Sequence, residues 1–408
     1  MIIHLPEAMV PFENAGIERH PLLPQCGQRV MVGCKLEGNH AQPSLVLKTG
    51  EQEKIIPGKP CDKVGFYQFD LGLFKTPQLV SYQISAGEEV TPWYRFDVLT
   101  VSRYKQSQAI YKTAKGFCLA LDKDLSLEID TFCNVSLHQR PAEGKQIQSA
   151  ELRLPDEHKL YAGSHFLWRL NRLSEKKIQA LAYEVYRDST GRIVQTKLEL
   201  SIPAKHILGC GERFDTVDMQ GSTSNGRVVE KFTQQGGMSY IPVPFFMTDT
   251  GLGWYREGGI STEMRFEEPV TLTQRTESTL LSQDRLLFGA PSEVLRAYLN
   301  LTGRPVLPPE WAFGVWISGN GWKDDAEVNT QLKALRDYDY PASVMVLEQW
   351  SDEQTFYRWH EEHFPNPKQT VKAIRDAGLR LLLWQIPVLK HDDEHPHAAV
   401  HDADIAEA

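Results

Sequence analysis

The sequence is short of the features that would classify it quickly. Its six cysteines, Cys26, Cys34, Cys61, Cys118, Cys133 and Cys210, are scattered with no C-x-x-C pair. A zinc ribbon or a disulfide scaffold needs tighter grouping, so these read as ordinary reduced thiols. No run of about 18 apolar residues occurs, and nothing is expected to span a membrane. The opening MIIHLPEAMVPFENAG has no charged segment followed by an apolar one, so no signal peptide is expected. No basic run or stripe occurs, and the formal net charge is -9. Nucleic acid is therefore excluded as an expected partner. The balance suits a soluble cytoplasmic protein.

What is present is globular. Of 408 residues, 41% are hydrophobic and 24% charged, enough chain for two or three domains. Up to about residue 102, β-formers stand between Gly, Pro and Asn punctuation in VMVGCKLEG, PSLVLKTG, GFYQFDLG and VSYQISAG. This spacing predicts a small β-sandwich over 1–102. A second β-rich region, 103–290, alternates apolar and polar residues in ALDKDLSLEIDTF, QIQSAELRL, ALAYEVYR and RIVQTKLELSI, with a turn at Ser189-Thr190-Gly191.

From 291 the pattern changes. PSEVLRAYLNLTG predicts a helix with Val294, Leu295, Tyr298 and Leu299 on one face and Gly303 at its end. LPPEWAFGVWIS predicts a strand, and DDAEVNTQLKALRDYD a helix with Val328, Leu332 and Leu335 on one side. ASVMVLEQW, KQTVKAIRDAGLR and LRLLLWQIPVL continue as strand, helix and strand. Near-continuously apolar strands alternating with helices mean parallel β/α units. Polar or aromatic groups at strand ends (Trp316; Glu348, Gln349 and Trp350; Trp384 and Gln385) favour a (β/α)₈ barrel over a doubly wound sheet. Only three such units are read. A barrel needs about 250 residues, and the polar stretch KHDDEHPHAAVHDADIAEA holds no fourth strand.

The motif order from about 208 to 390 resembles glycoside hydrolase family 31. Gly209-Cys210-Gly211-Glu212-Arg213-Phe214 is similar to that family's G-x-G-E-R-F segment, and PVPFFMTDTGLGWY (242–255) to its strand pair. GAPSEVLRAYLNLTGRPVLPPEWAFGVW (289–316) resembles the helix leading into the first barrel strand. VMVLEQW (344–350) stands where the second strand often ends in L-D-x-D, and HFPNPKQTVKAIRDAGLRLLLWQIP (363–387) resembles the third unit.

The resemblance implies a multidomain β plus α/β protein: an N-terminal β-sandwich (1–102), a mutarotase-like β-sandwich (103–290), and the start of an incomplete TIM barrel (291–408). It implies a retaining α-glycosidase with two catalytic aspartates, after the fourth and sixth barrel strands. Neither strand is read here, so no catalytic residue is assigned and the chain is expected to be an inactive fragment. Glu348 takes the place of an aspartate that binds hydroxyls of the terminal sugar, one methylene longer, which sets this pocket apart from a standard glucose site. Gln349, Trp350, Trp384 and Asn320 are its expected neighbours, with Trp316 and Trp322 flanking the first strand end. Gln235, in the loop Thr233–Gly237, is the counterpart of an active-site loop residue. Barrel packing competes as the role of each Trp, a structural ion pair as that of Glu348, and a plain surface loop as that of Gln235. Glu348 with Asp352, at i, i+4, is not read as a catalytic dyad. His391, His395, His397 and His401, interleaved with acids, read as a polar tail, and no metal or cofactor is expected. The expected partner is a carbohydrate, with sugar, linkage and oligomeric state open. Rival readings are a non-catalytic carbohydrate-binding protein and a non-functional truncated gene product.

Overall fold

The computed structural model describes residues 1–7, 16–38, 41–105, 109–130, 134–147, 180–229, 235–258, 261–275, 280–351 and 358–385. The chain divides into two compact units, Met1–Gly303 and Arg304–Ala408.

In the first unit, period-two patterning sends alternate residues inward. Strand Arg29–Leu36 buries Val30, Val32, Cys34 and Leu36, and strand Gln78–Ala86 buries Val80, Tyr82, Ile84 and Ala86. These strands belong to separate five-stranded antiparallel sheets whose inward faces share one core. His4 is sunk beside it. Its Nδ1 lies 2.7 Å from the Gly33 carbonyl oxygen and its Nε2 2.8 Å from the Tyr82 hydroxyl. Burial holds the His4 pKa below its ordinary 6.5, and the Arg19 charge adds to the effect.

The next strand, Thr100–Tyr104, pairs with Ala180–Arg187 in a six-stranded sheet. This second β region thus takes up the chain three residues before the expected 103. A nine-stranded sheet lies against the six-stranded one, and a core of Leu, Val, Phe and Trp side chains from both lies between them. Part of QIQSAELRL and all of 171–179 lie outside the described residues. The G-x-G-E-R-F segment has a local cause here. Strand Ile207–Gly211 bulges against Pro242–Thr248, with Gly209 at φ 131° and Gly211 at φ 85°. A Cβ on either would lie within 2.5 Å of a backbone oxygen, so both positions require glycine. The bulge leads to Arg213, which grips Asp215 with two bonds of 3.1 and 2.9 Å.

A buried ion pair joins the two sheets. Asp284 and Arg256 are cross-strand neighbours in the nine-stranded sheet and are 1% and 4% exposed. Asp284 accepts two bonds from the Arg256 guanidinium, one from the Trp254 indole at 2.8 Å, and one from Tyr183 at 3.4 Å. Arg256 also donates to Thr262 at 3.1 Å. Tyr183 and Thr262 stand on the six-stranded sheet. Burial and the Asp284 charge together push the Tyr183 phenol well above its ordinary range.

Helix Pro291–Thr302 closes this unit, and Glu293 accepts a 2.7 Å bond from the Ala290 N–H at its start. Val294 is fully buried and Tyr298 stacks on Phe245 at 4.0 Å. Leu295, expected on the same face, is exposed. Because the helix packs on these strands, it belongs to the first unit, and the division falls after Gly303 and not at 291.

The second unit carries three parallel strands, Trp316–Gly319, Val344–Leu347 and Arg380–Leu383, in that order across the sheet. LPPEWAFGVWIS is not one strand. Glu310–Phe313 forms a 3₁₀ turn after Pro308-Pro309, and the strand starts at Trp316. Proline lacks the N–H a ladder needs, which delays the start. Asp324 caps helix Asp325–Asp337 through the Glu327 N–H at 2.8 Å, and Asn366 caps Pro367–Asp376. Val328, Leu332 and Ile374 of these helices bury Met345 and Leu347 on one face of the sheet. The other face presents Trp316, Ser318, Arg380 and Leu382, all exposed, around buried Val344 and Val346.

Two expected outcomes test this account. Asp284→Asn leaves Arg256 buried and uncompensated, at a cost of about 3–5 kcal/mol. Urea unfolding should show that loss in the transition of the second β region, and a change below about 1 kcal/mol would show the pair to be dispensable. His4 gives a pH signature. The native state holds it neutral, whereas the unfolded chain protonates below about pH 6.5. Its contribution is therefore full above the unfolded pKa and is lost as pH falls toward the depressed folded value. The N-terminal sandwich should lose stability on acidification from about pH 8 to 5. His4→Gln keeps a donor and an acceptor and should flatten that slope. An unchanged slope would assign it to other groups.

Candidate functional site

Parallel register sets the geometry at one end of the three-stranded sheet. Gly319, Leu347 and Leu383 are aligned partners, so the residues that follow them, Asn320, Glu348 and Trp384, stand in one row at the carboxyl ends. Strand alternation puts Ser318 on the exposed face, one residue before that row.

The row is tied by short bonds. Ser318 Oγ donates to Glu348 Oε1 at 2.6 Å, and the Asn320 amide lies 2.9 Å from the same hydroxyl. Gln349 Nε2 donates to the Asn320 carbonyl at 2.9 Å. The Trp384 N–H continues the ladder to the Leu347 carbonyl at 2.9 Å. Its indole stays 45% exposed, leaving a bare ring face in the row. Trp350 is buried, and its Nε1 donates to the Trp384 carbonyl at 2.9 Å. It therefore supports the rim from beneath. A carboxylate has two acceptor oxygens. Ser318 occupies Oε1, and no described residue holds the other. A free charged acceptor, two amides and an exposed indole can hold a polyhydroxylated ring, with hydroxyls donating to Glu348 and C–H faces resting on Trp384.

The expected site residues divide accordingly. Asn320, Glu348, Gln349, Trp350 and Trp384 come together. Trp316 does not. It begins its strand, about 13 Å of strand rise from the rim, and its indole bonds the Ala312 carbonyl at 3.1 Å beside Trp311. The late strand start displaces it. Trp322 lies near the first strand's end but packs over Gly319, where a Cβ would come within 2.3 Å of its ring, and joins the helix-side core. Gln235 belongs to the first unit, is buried, and donates to the Val229 carbonyl. Thr233, Gln234, Asp352 and the histidines from His391 to His401 lie outside the described residues. Ser318 was missed. The alternation W-I-S-G, once its start is placed at Trp316, would have put it on the exposed face.

Residues 305–406 match the model of the glycosyl hydrolases family 31 TIM-barrel domain. The chain is 27% identical over 216 residues to an isomaltosyltransferase from Sporosarcina globispora, covering 46% of this chain and 20% of that protein. It is 30% identical over 228 residues to alpha-xylosidase XylQ from Lactiplantibacillus pentosus, covering 53% of this chain and 29% of the relative. Among solved structures, the cycloalternan-forming enzyme from Listeria monocytogenes in complex with pentasaccharide substrate superposes with a TM-score of 0.67 at 20% identity. That overlap covers 97% of this chain and 43% of the enzyme, and it shows a shared fold. The matched region is thus under a third of the length of these sequence relatives. Strand order, motif order and the match over 305–406 converge: this segment is similar to the TIM-barrel domain of glycoside hydrolase family 31.

Proposed function

We propose that this chain serves a retaining α-glycosidase acting on terminal, non-reducing α-linked hexosyl or xylosyl residues. In this reading 1–102 and 103–290 are the two β-sandwich domains, the second mutarotase-like, and the barrel begins within 291–408. The observation that carries it is the Glu348 carboxylate at the barrel rim, with one oxygen held by Ser318 and the Trp384 ring exposed in the same row. That set is suited to hold the sugar whose anomeric carbon reacts. The names of the relatives, alpha-xylosidase and isomaltosyltransferase, support both the α linkage and a choice between water and sugar as acceptor. Retention requires a nucleophilic carboxylate and an acid about 5–5.5 Å apart. The family resemblance puts these beyond the three strands described, so the rim here binds and orients, and the ester forms and breaks on groups supplied by further barrel units. The five described cysteines are free thiols, which fits a cytoplasmic setting.

Two outcomes follow. In the protein carrying a completed barrel, Glu348→Ala should lower kcat/KM ten-fold or more, since a bond to a charged group is worth about 1.5–3 kcal/mol. Ser318→Ala should act in the same direction more weakly, and Ser318→Thr should restore most of the loss. An effect below two-fold for Glu348→Ala, with the fold intact, would make the residue structural. The 408-residue chain by itself should give only background with aryl α-glucoside, α-xyloside and α-galactoside. Limited proteolysis should cut it first beyond about residue 305, where Val306, Leu307 and Phe313 are strongly exposed. Robust turnover by the pure chain, abolished by mutating one of its own carboxylates, would overturn the division of labour.

A further inference from the structure

The first unit holds a cleft of about 950 Å³ that the barrel reading does not use. Its floor is the outer face of the six-stranded sheet, and Glu7, Leu22 and Leu23 from the N-terminal region form part of its wall. Register explains its shape. Strand Val270–Arg275 sends Val270, Leu272 and Gln274 inward and Thr271 and Thr273 outward. Thr273 lies between Lys197 and Glu263, and Thr271 between Glu199 and Arg265. Short hydroxyl side chains thus run down the middle, with long charged ones on both banks.

The banks are largely neutralised by one another. Lys197 sits 3.0 Å from Glu184 and 3.1 Å from Glu199. Arg265 is 2.7 Å from Glu263, and Arg275 is 3.5 Å from Glu7. Acidic and basic linings occur in near-equal number, so the cleft has no surplus charge to hold an anion or a polycation. The floor, by contrast, has unused hydrogen-bonding capacity. Among the described residues, the side chains of Thr271, Thr273 and Gln195 have no hydrogen-bond partner. An apolar ligand would strand those groups without compensation. A sugar would not, because each of its hydroxyls both donates and accepts, matching adjacent carboxylate, ammonium, amide and hydroxyl groups. The volume lies at the upper end of the roughly 300–1,000 Å³ usual for small-molecule sites, room for several linked rings.

We propose that this trough is a second, non-catalytic binding site for a neutral oligosaccharide, seated along the Thr271–Thr273 column. The choice of a carbohydrate over other neutral polyols rests on the glycosidase reading. The site would retain a longer chain while its end is processed elsewhere.

The test uses the 408-residue chain and a calorimetric panel of two- to six-sugar α-1,3-, α-1,4- and α-1,6-glucans and a xyloglucan heptasaccharide. At least one should bind, with an affinity insensitive to added salt because no charge is neutralised. Thr271→Val/Thr273→Val removes both hydroxyls at constant shape and should weaken binding ten-fold or more. Thr273→Trp fills the trough and should abolish it. Both substitutions sit on an outer sheet face, and unchanged circular dichroism would show that the fold persists. Binding that both variants leave intact, binding that falls steeply with salt, or no binding by any panel member would each overturn the proposal. Those failures leave the glycosidase reading standing, because that is judged by turnover in Glu348 variants. Loss of that reading with cleft binding intact would identify a carbohydrate-binding protein.

Discussion

The buried pair between Asp284 and Arg256 constrains the largest part of the chain. A carboxylate that is 1% exposed is tolerable only if every part of its charge is met by donors. Guanidinium, indole and phenol meet it here, and two of the elements involved lie on the opposite sheet. The requirement therefore fixes more than one contact. Arg256 must stand across from Asp284, Trp254 two residues earlier on the same face, and Tyr183 must arrive from the six-stranded sheet at the right height. A slip of one residue in any of these strands would turn the partner outward and leave a bare charge in the core.

That fixed register is what gives the outer face of the six-stranded sheet its pattern. Once Tyr183 points inward toward Asp284, Glu184 and Tyr186 point outward. Their cross-strand partners Lys197 and Gln195 then do the same, followed by Thr273 and Arg275. The trough of threonines between charged banks is the reverse side of the sandwich core. The barrel segment follows a different rule. Its three strands are parallel, one face is covered by helices, and the row at the carboxyl ends comes from register alone. No buried charge is needed to align it.

Much of this was legible in the sequence because period two and period 3.6 are strong signals. The strands at 29–36, 66–73 and 78–86 and the helix at 325–337 follow directly from residue order. The family resemblance, carried by G-x-G-E-R-F and the segment around 289–316, extended the reading to Glu348 and its neighbours. The misses have specific causes. Trp316 was assigned to the wrong end of its strand because an apolar run does not reveal where a double proline and a 3₁₀ turn delay the ladder. Leu295 shares a helical face with Val294 by spacing yet is exposed, because helical spacing gives the width of a stripe but not which edge of it meets the sheet. The Asp284 network was invisible, since its partners lie 28 and 101 residues away in sequence and no local pattern links them.

Two carboxylates in this chain show how structure separates an enclosed acid from an open one where sequence does not. Asp284 and Glu348 both stand in or beside strands rich in apolar residues, and a pattern search treats them alike. Asp284 is enclosed, and its oxygens are fully engaged by donors from both sheets. Any ligand would have to displace a protein contact to reach it. Glu348 is half-buried and is held at one oxygen by Ser318, with its other oxygen unengaged among the described residues and the exposed Trp384 indole in the same row. One anchored oxygen restricts the side chain's rotamers, which lowers the entropy lost when a ligand binds, while the free one retains acceptor capacity. The extra methylene of glutamate, relative to the aspartate common at this strand end in the family, is compatible with this arrangement because Ser318 holds the longer side chain in place. In the proposed reading a carboxylate tethered in this way recognises a hydroxyl, whereas a carboxylate fully enclosed can only hold the fold together.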